Sequence, residues 1–161
     1  MDESRFQKLL VKIKELQASG GYDLSLEEDL SLAVMNLISL EEHFFFTSQK
    51  TGKSDYLDLL HQTREIRKSL LAKMIPANEG ETWCITKHLL AATMRLIEVG
   101  TKYQTDGKKD LAADSFAQAY KVYSLFWAVR LKLIDLKGVK KINPAMSIED
   151  LTTQLIDCCQ E

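Results

Sequence analysis

Helix breakers are nearly absent from this sequence, and their few positions dictate what it can become. Two prolines and seven glycines are all that 161 residues contain. Between them apolar residues recur at three- and four-residue spacing, and no stretch alternates apolar and polar as a half-buried strand would. The chain must therefore form long amphipathic helices joined by tight turns, an all-α protein.

The breakers mark the joints. Phe6, Leu9, Leu10, Ile13 and Leu16, with Lys8, Lys12 and Lys14 between them, predict a short helix over about residues 4–18 that stops at Gly20-Gly21. Ser25-Leu26-Glu27-Glu28 reads as a capping box opening the first long helix. Its stripe of Leu26, Leu30, Ala33, Val34, Leu37 and Phe44 runs to about Gln49, ahead of Gly52. The second long helix is expected from Ser54 to about Ile75, with Tyr56, Leu57, Leu60, Leu71 and Met74 facing inward and Pro76 closing it. A third spans about Gly80 to Thr105. The fourth, after Asp106-Gly107, meets no breaker before Leu136 and Gly138, a length of about 40 Å at 1.5 Å per residue. Ser147-Ile148-Glu149-Asp150 opens a last short helix, about residues 147–159, carrying Leu151, Leu155 and Ile156. Connections this short force neighbouring helices to run antiparallel. The expected architecture is an up-and-down antiparallel four-helix bundle over about residues 25–137 of a single 1–161 domain, with short N- and C-terminal helices over 4–18 and 147–159.

Several function classes are disfavoured at once. With 21 basic and 23 acidic side chains spread along the chain, net charge −2, no basic face exists for a phosphate backbone, so no nucleic-acid partner is expected. The opening Met1 to Arg5 leads into a lysine-studded amphipathic stretch, neither a signal peptide nor a membrane span, so no membrane role is expected. Cys84, Cys158 and Cys159 form an odd set without framework spacing, which suits a reducing, cytoplasmic setting. No phosphate-cradling glycine loop, nucleophile elbow, Cys-x-x-Cys or His-Glu-x-x-His is present, and the reading leans away from an enzyme.

Polar residues inside the apolar stripes carry the remaining information. Glu41 lies between Leu37 and Phe44, and a carboxylate so placed needs a partner. Arg64 and Arg67 lie in the stripe of the next helix, and counting outward from Gly52 sets Arg64 level with Glu41. Counting onward brings His88, Tyr123 and Trp127 toward the same layer. Two roles are open to this polar interior: an ion pair that fixes register, or a pocket in which an arginine clamps a small anion between aromatic walls. A second constellation, Glu42, His43, His61, Glu65, Glu81, Cys84 and His88, has residue types that hold a transition metal such as zinc or iron, although the Glu-x-x-His of di-iron bundles is missing and no cofactor is specified. The Phe116, Tyr120, Tyr123, Trp127 stripe is expected to be core.

The two hairpins share a turn pattern: Gln49-x-x-Gly52-Lys53-x-Asp55 recurs as Gln104-x-x-Gly107-Lys108-x-Asp110. Over residues 93–126 the spacing of Gly100, Tyr103, Gly107, Ala112, Phe116 and Ala119 resembles a tetratricopeptide repeat. That resemblance implies two helices in close approach over small residues; only arrays of three or more such repeats form a concave peptide-binding surface. The first hairpin departs from the pattern, with Phe45, Ser48, Leu57 and His61 at the corresponding places.

Apolar residues exceed what four helices need. Leu32, Met35 and Phe46 read as a second face on the first long helix, and Trp83, Leu90 and Met94 as another on the third. The expected function is a non-catalytic module that binds a protein partner or associates with itself as a homo-oligomer. The alternative is a bundle whose interior binds a small anion or a metal ion.

Overall fold

The computed structural model describes residues 11, 14, 15, 18, 23–76 and 81–133. Four helices follow one another: α1 (Leu24–Thr51), α2 (Asp55–Met74), α3 (Glu81–Thr105) and α4 (Lys109–Arg130), with no strand among the described residues. The protein is an all-α helical bundle. Of the expected N-terminal helix, Val11, Lys14, Glu15 and Ala18 are helical and exposed. The helix expected over 147–159 and the stop at Gly138 lie outside the described residues.

Local chemistry sets the joints, and it corrects the sequence reading twice. Asp23, not Ser25, caps α1: its carboxylate accepts the Leu26 N–H at 3.1 Å, and Ser25 lies inside the first turn. A charged oxygen at the positive end of the helix dipole outcompetes a hydroxyl two residues on. Ile75 leaves the helical region (φ −122°, ψ 120°) because Pro76 follows it.

The second correction is the end of α4. Gly107 (φ 75°) closes α3 with bonds from its own N–H to the Gln104 carbonyl (3.0 Å) and from the Lys108 N–H to Tyr103 (2.9 Å). The same closure ends α4 at Arg130 instead of Leu136, with Lys132 in the glycine's place: φ 54°, Lys132 N–H to Val129 at 3.0 Å and Leu133 N–H to Ala128 at 2.8 Å. At 22 residues α4 is about 33 Å long.

The helices pair as two antiparallel hairpins, α1 with α2 and α3 with α4. Ser115 donates to the Leu96 carbonyl at 2.8 Å, and Gly100 meets the Phe116 ring so closely that an added Cβ would sit 2.5 Å from it. Contact between the hairpins runs chiefly along α1 and α3; α2 and α3, although consecutive, touch far less. Their shared core gathers Val34 and Met35 from α1, Leu71, Met74 and Ile75 from the end of α2, Trp83, Cys84 and Leu90 from α3, and Phe126 from α4. All of these lie toward one end, the base, where α1 and α3 begin and α2 and α4 finish. The opposite, turn end carries Gly52 and Gly107.

Candidate functional site

The interior polar groups resolve into separate layers. On α1 every seventh residue falls on one inward row, and that row reads Glu27, Val34, Glu41, Ser48. Glu41 is engaged by Arg67, whose Nε donates to Oε1 at 2.8 Å and whose second guanidinium nitrogen donates to Oε2 at 3.4 Å. Arg67 is 1% exposed, the largest fully buried side chain among the described residues. Counting from Gly52 had matched Glu41 with Arg64. In an antiparallel pair, however, each side chain leans toward its own helix N-terminus, so an arginine one turn deeper in α2 leans back to meet a glutamate leaning away from the turn. Arg64 is half-buried.

Tyr123 and Trp127 do not join that layer. Tyr123 Oη shares a 2.7 Å hydrogen bond with Ser31 Oγ, ten residues and about 15 Å along α1 from Glu41. Its ring stacks on Phe126 (5.8 Å), and Trp127 meets both edge-on at 6.1 and 5.4 Å. The level of Glu41 is taken instead by Arg95 of α3, which donates to Ser39 Oγ at 3.0 Å and stands 3.7 Å from Glu42. Arg95 lies seven residues, about two turns, beyond the His88 that counting had brought toward this layer. His88 faces solvent. In the aromatic stripe of α4, Tyr120 is exposed while Phe116, Tyr123 and Trp127 are partly covered.

The metal constellation is not brought together. His43, His61, Glu65 and His88 are exposed, Glu42 and Glu81 half-buried, and Cys84 sits in the apolar core. The hydrogen bond from Lys68 (3.1 Å) holds the exposed Glu65 carboxyl below its ordinary range. Among the described residues no three His, Cys, Asp or Glu side chains converge.

A second interior ion pair, with both partners buried, was not singled out by sequence reasoning. Arg130, in the last turn of α4, donates from Nε to Glu27 Oε2 at 2.7 Å and through a second nitrogen to Oε1 at 2.5 Å. A signal existed: Glu27 lies seven residues before Val34 on the inward row, but it also fits a first-turn carboxylate, which conceals its role. No buried side-chain nitrogen or oxygen among the described residues lacks a partner.

Apolar side chains supply the opposite imbalance. Three core rows emerge into solvent toward the turn end. On α1, Ile38 packs on the core, whereas Phe45, one heptad on, is 46% exposed. On α3, Leu90 is fully buried and Ile97 is 38% exposed. On α2, the row falls from Leu71 (0% exposed) through half-buried Arg64 to Leu57 (42%). Near the turns burial comes from contacts within each hairpin, Phe44 on Tyr56 and Gly100 under Phe116. The surplus faces read from the sequence fall elsewhere: Met35, Trp83 and Leu90 are core and Met94 packs against it, while Leu32 and Phe46 are exposed. No described helix is long and apolar enough to cross a membrane.

Comparison with known proteins adds no relative: no family model matches the chain, and neither does any curated protein or solved structure.

Proposed function

We propose that this protein is a non-catalytic helical interaction module whose binding surface is its open turn end. The observation that carries the reading is the simultaneous emergence of three core rows, at Phe45, Leu57 and Ile97, from burial into solvent. Exposed apolar side chains scattered singly need no explanation, but continuations of a core on three helices mark a surface that another element completes. Apolar side chains exposed on helices suit the apolar face of an amphipathic helix from a second copy or another chain. The interior polar groups act within this module as register pins, since Glu41 and Glu27 are each held by an arginine fork.

The test is site-specific photocrosslinking in cells, with a photoreactive phenylalanine analogue at position 45 and, as control, at the exposed Gln118. An adduct to a second copy or another chain from position 45 alone sustains the reading. Equal labelling from both positions, or no intermolecular adduct from either, removes it.

A further inference from the structure

One column of side chains on α2 plays no part in holding the bundle. The helix buries Thr63, Arg67, Leu71 and Met74. About 100° round from that row, Asp55, Leu59, Gln62, Ile66 and Lys73 follow one another at spacings of four, three, four and seven residues, which keeps them on one face. All five are exposed, Leu59 at 42% and Ile66 at 55%. Asp55 and Lys73 have no ion-pair partner among the described residues. Glu65, farther round the helix, is held by Lys68 at 3.1 Å.

Read along α2, the column runs acid, apolar, amide, apolar, base, and it is complementary to itself in reverse. Turned end for end about Gln62, Leu59 lies level with Ile66 of the partner subunit, and Asp55 comes within about one turn of the partner's Lys73. Side chains lean toward the N-terminus of their own helix, so in an antiparallel pair the aspartate and the lysine lean toward each other and close that gap. A parallel pair would instead set Asp55 against the partner's Asp55 and Lys73 against the partner's Lys73. The helix dipole favours an acid at the start and a base at the finish of a lone helix, but it does not account for two uncovered apolar side chains between them. A two-fold axis satisfies both halves of the column at once, because each residue that touches a partner is touched by its equivalent in return.

We propose that α2 pairs antiparallel with α2 of a second copy about a two-fold axis at Gln62, joining Leu59 to the partner's Ile66 and Asp55 to the partner's Lys73. This face is separate from the turn end, and the pairing stands or falls without the binding surface proposed there. Two single helices in contact cover a small area, so the dimer is weak and concentration-dependent. Its exposed ion pairs set the direction of pairing more than its strength.

Sedimentation velocity of the full chain under reducing conditions, over a concentration series, tests the pairing. The wild type is expected to shift from monomer to dimer as concentration rises. Asp55→Lys makes both ends of the column basic and Lys73→Asp makes both acidic, so each variant alone stays monomeric where the wild type pairs. Their equimolar mixture sediments as a dimer again, since every lysine then meets an aspartate. Circular dichroism checks that both variants keep the wild-type helix content, as expected of substitutions on an exposed face. A wild type that stays monomeric throughout the series overturns the proposal. So does a dimer that either charge variant leaves intact, which places the contact on another face, or a mixture of fully helical variants in which no dimer returns.

Discussion

Glu27 and Arg130 stand 103 residues apart in sequence and share two hydrogen bonds in the buried base. Each also sits where a helix dipole favours it, the carboxylate in the first turn of α1 and the guanidinium in the last turn of α4. Breaking such a pair leaves a charge without its counterpart, so Arg130→Met is expected to lower stability by about 3–5 kcal/mol in urea denaturation. Replacing both partners, Glu27→Leu with Arg130→Met, recovers most of that loss; a double variant as unstable as the single would show that the pair is not the main source of the effect. Lys132 presents the reverse case, a residue whose backbone is strained. A left-handed conformation costs a non-glycine residue roughly 1–2 kcal/mol, so Lys132→Gly should stabilise by about 1 kcal/mol once the greater freedom of glycine in the unfolded chain is counted. Unchanged or lowered stability would mean that the lysine side chain offsets the strain.

At the scale of the helices, the sequence was most legible where a residue is chemically singular. Gly52, Pro76 and Gly107 placed three of the joints to within a residue or two, because each imposes or permits a backbone shape that few others do. The end of α4 was not legible, since Lys132 takes a glycine's conformation without being one. Partner choice was legible only to one turn: Glu41 plainly required an arginine, but the lean of side chains along antiparallel helices selected Arg67 over Arg64. Exposure of Phe45 and Ile97 was not legible, for each lies one heptad beyond a covered residue, Ile38 and Leu90. Within the second hairpin, Gly100 supplies a test of close packing. A methyl group there would meet the Phe116 ring at 2.5 Å. Overpacking of this kind costs typically 1–3 kcal/mol, against a gain of about 1 kcal/mol in helix propensity. Gly100→Ala should therefore be mildly destabilising by thermal melting, and Gly100→Ala with Phe116→Leu less so; a stabilised single variant would indicate that the ring yields freely.

Across the whole molecule, cohesion is unequal. The base holds the shared core, the aromatic cluster and the Glu27–Arg130 pair, while the turn end is stabilised within each hairpin separately. Hydrogen exchange should follow that division along a single helix: amides of α3 near Leu90 open only with global unfolding, and those from Ile97 to Lys102 exchange by easier local opening. Uniform protection along α3 would contradict the division. The contact between Glu27 and Arg130 has one more consequence. It brings the start of α1 beside the finish of α4, so the two ends of the four-helix stretch meet at the base. A circularly permuted chain, with residues 133 and 23 bridged by a short flexible linker and new ends opened at Gly107, would keep every helix pairing and exchange a tight turn for a bridge at the base. The order in which the helices are written along the gene is then one choice among several that reach the same bundle.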